Sequence, residues 1–242
     1  MKICGHAHSF SPMLGRGEVD LPSVIRFYRE LDLDTVELAD YHVVAAGTDA
    51  VRSVLAATGT TVACCDVGVD FVTRDPVARR AEVEKLQDGL KRAAELGARY
   101  TLSYPGLPRE EIRPTDVRRW FAEGLIACLP LARRLGITMT IPDVGIAAEL
   151  SGTSAHLNEI CDAVGSELRV TYDIGNFLMA GEDPLVALDR VAPRVAHVHL
   201  KDWQVLPATA ARPEGAFVGL DGRSYVGMAM GEGILDLPGV VS

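Results

Sequence analysis

VTYDIGNFLMAGEDP at residues 170–184 and RVAHVHLKDW at residues 194–203 are the stretches that decide the fold. Each contains a short β-branched run that ends in polar residues, and a helical pattern with an Asp-Pro start lies between them. We therefore predict strands at 168–173 and 194–200 joined by a helix at 183–191. This strand–helix–strand unit is typical of a parallel sheet.

The same alternation extends back to the N-terminus. Strands are predicted at 2–7, 34–39, 61–66, 99–104, 137–142, 168–173 and 194–200. Helices are predicted at 21–31, 48–58, 76–96, 114–135, 153–164 and 183–191. No linker or composition shift divides these units, so the pattern predicts an α/β fold with a single domain over 1–242, a (β/α)₈ TIM barrel.

The eighth barrel unit is missing from this pattern. After the seventh predicted strand, the sequence indicates a loop of about thirty residues and the start of a helix. A full barrel would need roughly 25–40 more residues. A natural short form whose gap a partner chain covers, or a trimmed end, is favoured over a different fold, because the repeats are regular. Since an open barrel leaves unpaired strand edges, we expect a homodimer.

Composition and charge exclude several functions. The 242 residues are 48% hydrophobic and 24% charged, which indicates a globular protein, and the net charge of −9 argues against coating a nucleic-acid duplex. No apolar run reaches the ~20 residues of a membrane span, and the N-terminus lacks the plan of a signal peptide. The five cysteines show no CxxC spacing, so we expect reduced thiols in a cytoplasmic protein.

Polar residues follow most predicted strands, where βα barrels carry their functional side chains. They are His6, His8, Glu37, Asp66, Tyr104, Asp143, Asp173, Asn176, His197, His199 and Lys201. An Asp and a His from adjacent strand ends suit Mn²⁺, Zn²⁺, Co²⁺ or Mg²⁺. The alternative is that Asp173 caps the turn after its strand and that His199 is a hydrogen-bonded core histidine.

The motifs D-x-G-N, H-x-H-L-K-D and G-E-G, in this order, resemble the xylose isomerase-like TIM-barrel superfamily. This superfamily includes sugar-phosphate isomerases and epimerases and the endonuclease IV-type AP endonucleases. DTVELADYH and AAELGARYTLSYPG are similar to earlier parts of the same pattern, so the resemblance covers nearly the whole chain.

The resemblance implies a divalent-metal site made by Glu, Asp, His and Glu, whose two glutamates also act as acid and base in the epimerases. By position, the metal ligands of this chain are Asp173 and His199. Pro142 stands where the first Glu is expected, and the second Glu belongs to the missing eighth strand. A third ligand would have to come from Asp143, Glu37, His8 or a partner chain.

Four functions compete at this point. The first is a metal-dependent isomerase or epimerase of a small sugar, polyol or hydroxy-ketone, in which Glu37 or Asp143 moves the proton and Lys201 binds an anionic group or oxyanion. The second is a metal-free lyase, cyclase or isomerase that uses His8, Glu37, Asp143 and Lys201. The third is a non-catalytic descendant. The fourth, DNA repair, is disfavoured by the acidic charge and by Asn176 where that branch has a histidine.

Overall fold

Seven parallel strands follow one another in chain order in the main sheet. The computed structural model of the chain describes residues 2–207, 209–213 and 215–241. The strands are β1 (Gly5–His6), β2 (Thr35–Ala39), β3 (Thr61–Asp66), β4 (Tyr100–Leu102), β5 (Thr138–Pro142), β6 (Arg169–Asp173) and β7 (Val195–His199). All seven predicted strands are confirmed, and their order is that of a TIM barrel without its last strand. An eighth parallel strand is absent from the described residues.

Helices connect the strands, as the sequence predicts. They are α1 (Ser11–Gly15), α2 (Leu21–Glu30), α3 (Asp40–Ala46), α4 (Thr48–Thr58), α5 (Pro76–Glu95), α6 (Pro114–Leu135), α7 (Ala148–Ser151), α8 (Ser154–Val164), α9 (Ile174–Met179), α10 (Pro184–Val191) and α11 (Leu237–Val241). Three short 3₁₀ turns lie at Ala7–Phe10, Gly145–Ala147 and Ala192–Arg194. The six predicted helices are confirmed, whereas α1, α3, α7 and α9 are too short for a periodic signal.

Two helix ends show why the strands begin where they do. Gly97 and Gly136 follow α5 and α6 with φ of +73° and +70°. In both cases the next residue, Ala98 or Ile137, donates its N–H to the carbonyl five residues earlier. Glycine reaches this left-handed conformation without strain, so each helix ends sharply and the chain enters the next strand.

The sequence predicts a loop after the seventh strand, and this prediction is wrong in one respect. It contains a three-stranded antiparallel sheet made by β8 (Asp202–Leu206), β9 (Phe217–Val218) and β10 (Ser224–Met228) in the order β8-β10-β9. Trp203 of β8 and Tyr225 of β10 are buried and form an apolar cluster with Met179. These strands have few β-branched residues, so tertiary packing of their aromatic rings decides the structure.

Asp202 binds the segment of chain that follows this small sheet. Its carboxylate is buried and accepts the backbone N–H groups of Trp203, Gly231, Gly233 and Leu235 at 2.9–3.1 Å. A Cβ on Gly233 would lie 2.1 Å from the Asp202 Oδ1 atom. The second glycine of G-E-G is therefore required for the close approach of the backbone to this carboxylate.

The chain divides into two compact units, each with its own buried core. The first comprises Met1–Val69, Arg80–Ser103 and Ala127–Met139, and the second comprises Asp70–Arg79, Tyr104–Ile126 and Thr140–Ser242. Completely buried side chains of the first include Val36, Leu38, Leu86 and Leu90. Those of the second include Val72 and Val117, which pack with Ala147 and Leu150. Among the described residues, no helix is both long enough and apolar enough to cross a bilayer.

Candidate active site

Strand register places Asp173 and His199 side by side in the second unit. β6 and β7 are parallel, and Asp173 is the register partner of His199 at their carboxyl ends. The Asp173 Oδ2 atom lies 3.5 Å from the His199 Nδ1 atom and 2.7 Å from the Lys201 Nζ atom. The structure therefore brings together three residues that the sequence predicts to be functional.

The other carboxylate oxygen of Asp173 begins the next helix. Oδ1 accepts the backbone N–H groups of Gly175 and Asn176 at 3.1 and 3.3 Å, which caps α9. The capping role proposed as the alternative for Asp173 is thus present, together with its contacts to His199 and Lys201. Both oxygens of this buried carboxylate are occupied.

Asp143 lies directly after β5 and supports the end of β6. Its Oδ1 atom accepts the backbone N–H of Asp173 at 2.9 Å, while its own carbonyl accepts the Asn176 side-chain amide at 2.8 Å. Asp143 is completely buried, and its Oδ2 atom has no hydrogen-bond partner among the described residues. The loop after Pro142 turns so that this carboxyl contacts the backbone of Asp173.

The two carboxyl groups have opposite electrostatic environments. Burial, and then the neighbouring negative charge of Asp173, raises the pKa of Asp143 well above its ordinary value. Burial by itself would also raise the pKa of Asp173, but Lys201 and His199 lower it to about 2. The surroundings therefore favour the protonated form of Asp143 and the ionised form of Asp173.

The remaining predicted residues, Glu37 and His8, lie in the first unit. Glu37 is 1% exposed in β2, with its Oε1 atom 4.0 Å from the His6 Nε2 atom. His8 is exposed, and its Nδ1 atom lies 3.1 Å from both the Tyr41 hydroxyl and the Ser11 hydroxyl. Their catalytic roles stay predictions.

His6 and Asp66 lie at the ends of β1 and β3, where the sequence predicts polar residues but no particular role for these two. The His6 Nε2 atom is 3.0 Å from the Asp66 Oδ2 atom. Their pairing depends on strand register, which no local sequence signal indicates.

A comparison with protein families supplies the decisive observation. The model of the xylose isomerase-like TIM barrel family matches residues 25–242. This chain belongs to that family. The resemblance predicted from the D-x-G-N, H-x-H-L-K-D and G-E-G motifs is therefore confirmed.

Relatives in this family are enzymes of related kinds. An inosose dehydratase of Bacillus thuringiensis (strain Al Hakam) is 39% identical over 51 residues, which is 21% of this chain and 17% of that protein. The matched stretch is thus a small part of the curated relative.

Solved structures of the family share the fold. The IOLI protein with a bound zinc atom aligns with a TM-score of 0.77 at 15% identity over 100% of this chain and 83% of that chain. A D-psicose 3-epimerase in the presence of D-fructose aligns at 0.69 with 17% identity over 81% of this chain and 72% of that chain.

Asp173 and His199 do not by themselves complete a site for the divalent metal that the family resemblance implies. Pro142 has no ligand atom in its side chain, and the Asp143 Oδ1 atom is bound to a backbone N–H. Lys201 places its ammonium group on the Asp173 oxygen that faces His199. Among the described residues, no group of three ligand side chains that includes Asp173 has its ligand atoms within 4.8 Å of one another.

We expect Asp143→Asn to flatten the dependence of stability on pH. Because the pKa of Asp143 is raised in the folded state, its contribution to stability is present below the unfolded pKa and is lost as pH rises through the folded pKa. Asn keeps an oxygen for the Asp173 N–H and carries no charge. Urea unfolding of both proteins from about pH 4 to about pH 7 measures this effect.

Asp189→Asn, which changes an exposed carboxylate of α10, is the matched control for that measurement. It should leave the pH dependence of the wild type intact. An Asp143→Asn protein that loses stability over this pH range as steeply as the wild type would contradict the burial of a neutral Asp143.

Proposed function

We propose that this chain moves a proton next to the carbonyl group of a small polyhydroxylated ketone or aldehyde. The reaction class includes isomerisation, epimerisation and loss of water, in keeping with the dehydratase and epimerase among its relatives. The observation that carries the proposal is the group formed by Lys201, Asp173 and His199. This group lies where barrel enzymes hold their catalytic residues.

His199 is the proposed general base and acid. Its side chain is 14% exposed, and Asp173 contacts its Nδ1 atom. An imidazole oriented by a buried carboxylate is suited to take a proton from carbon and return it. Return to the neighbouring carbon gives an isomer, whereas an epimer requires a second donor on the opposite face of the same carbon.

Lys201 is the proposed electrostatic stabiliser. Removal of the proton leaves its electron pair on the substrate, and the carbonyl oxygen gains negative charge as an enediolate forms. The Lys201 side chain is 33% exposed and its ammonium group is held by Asp173, so it is available to the substrate without reorganisation. Asp143 acts as a positioning residue, because it is completely buried and holds the backbone of Asp173.

Several expectations from the sequence stay predictions. They are catalytic roles for Glu37 and His8, Mn²⁺, Zn²⁺, Co²⁺ or Mg²⁺ at Asp173 and His199, a homodimer, a cytoplasmic location and a single domain over 1–242. The reaction proposed here requires none of them.

Deuterium exchange tests the proposed function. The full chain is incubated in D₂O with chelator and with a panel of ketoses, including D-fructose, D-psicose and an inosose. Incorporation of deuterium next to the carbonyl is followed by NMR. We expect exchange in at least one compound and a loss of about 100-fold in rate for Lys201→Met, since one stabilising donor is removed.

Lys85→Met, which changes an exposed lysine of α5, is the matched control and should exchange at the rate of the wild type. His199→Gln serves as a second variant with the same expected loss. Absence of exchange across the panel would indicate a non-catalytic descendant and contradict the proposal. Exchange that stops with chelator and returns with Mn²⁺ would contradict the metal-free form.

A further inference from the structure

We propose that the first unit contains a zinc site made by His6, Glu37, Cys64 and Asp66, at the carboxyl ends of β1, β2 and β3. The proposed reaction assigns no role to these four side chains, although Glu37 is one of the candidates for a third ligand at the metal site that the sequence predicts.

Strand register brings these four residues together. His6 pairs with Glu37, and Glu37 pairs with Cys64, across three adjacent parallel strands. Residues in register lie on the same side of a sheet, and Asp66, two residues after Cys64, lies on that side as well. The arrangement therefore follows from the backbone and does not depend on one flexible side chain.

The distances between side chains are those of a compact ligand set. The His6 Nε2 atom is 3.0 Å from Asp66 Oδ2 and 4.0 Å from Glu37 Oε1. The Cys64 thiol is 4.0 Å from Asp66 Oδ1. Ligand atoms of Glu37, Cys64 and Asp66 all lie within 4.8 Å of one another. A small movement of these groups would place a cation between them.

Burial of the carboxylates in this group favours a bound cation. Glu37 is 1% exposed, the Asp66 side chain is 19% exposed and Cys64 is completely buried. Removing two carboxylates from water is costly unless positive charge compensates them. A divalent ion would balance both carboxylates.

A second observation beside this group also indicates a ligand. His42, on α3, is 9% exposed, and its Nδ1 atom has no hydrogen-bond partner among the described residues. The negative charge of Asp66 acts on this ring. A buried imidazole nitrogen without a partner is uncommon, and a metal or a metal-bound water would satisfy it.

The donor atoms favour zinc. One imidazole nitrogen, two carboxylate oxygens and one thiolate sulfur match the ligands that Zn²⁺ binds in tetrahedral sites. Mg²⁺ and Ca²⁺ prefer oxygen alone, so the sulfur and nitrogen argue against them. Zinc binding displaces the thiol proton of Cys64, which leaves as H⁺.

Metal binding by the full chain tests the inference. The protein is stripped with chelator, loaded with Zn²⁺ and desalted, and its zinc content is measured by mass spectrometry. Affinity is measured by competition with a chromophoric chelator. We expect about one zinc per chain and, for Asp66→Asn, an affinity lower by about 100-fold, since even the loss of a supporting partner costs 10–100-fold.

Cobalt gives a readout of the ligands themselves. Co²⁺ bound by the wild type should show a thiolate charge-transfer band, which Cys64→Ser should remove. Asp189→Asn is the control, because it changes an exposed carboxylate of α10 and should keep the zinc. Wild-type protein that binds no zinc, an unchanged affinity in Asp66→Asn, or loss of zinc in Asp189→Asn would overturn the proposal. Circular dichroism verifies that each variant is folded, and the wild-type cobalt spectrum tests the thiolate ligand without any variant.

Discussion

Lys201→Met is expected to lower the free energy of unfolding by about 3 kcal/mol, because it leaves the buried Asp173 carboxylate without its cation. Asp173 has 3% of its side chain exposed, and the Lys201 Nζ atom lies 2.7 Å from it. Breaking a buried pair costs up to about 5 kcal/mol, and the partial exposure of Lys201 reduces this figure. Urea unfolding at neutral pH measures the change.

A second substitution distinguishes the contribution of the ion pair to stability from that of the packed hydrocarbon chain of Lys201. In the double variant Lys201→Met with Asp173→Asn, the buried charge is gone, so most of the lost stability should return. Lys85→Met, at an exposed site of α5, should unfold like the wild type. Equal destabilisation in the single and double variants would show that Lys201 acts through its hydrocarbon stem and would contradict the electrostatic role.

The second large effect is expected at Asp202. Asp202→Ala should destabilise the protein by at least about 3 kcal/mol, because four backbone N–H groups lose a charged acceptor and each such bond contributes about 1.5–3 kcal/mol. The loss should be local, since three of these donors, Gly231, Gly233 and Leu235, lie in the segment after β10. Hydrogen exchange of residues 229–241 should therefore accelerate more than that of β6.

Gly233→Ala tests the same contact from the other side. Its added methyl group would meet the Asp202 carboxylate at 2.1 Å, so exchange should accelerate in the same segment. Asp236→Asn is the control, because Asp236 is exposed and its carboxylate accepts the N–H of Gly239, outside the contact with Asp202. An Asp202→Ala protein with unchanged exchange in 229–241 would contradict the anchoring role of this carboxylate.

Most of the fold could be predicted because its signals are local. The β-branched runs and the helical periodicity predict all seven strands and six helices, which the structure contains. The antiparallel sheet at 202–228 was missed, because its strands are stabilised by the contact of Trp203 and Tyr225 with Met179. Such contacts between distant residues leave no periodic pattern in a sequence.

For the candidate site, the sequence by itself determined which polar side chains lie at the strand ends, because these residues follow each strand directly along the chain. Asp173, His199 and Lys201 were predicted and are together. Only the tertiary structure decided what they do to one another. It put the Lys201 ammonium on the carboxylate where a metal was predicted, and it buried Asp143, which raises the pKa of that group. It also brought His6 and Asp66 together across sixty residues. The physical reason is that burial and the distance between charges depend on strand register and packing, which arise only when distant parts of the chain meet.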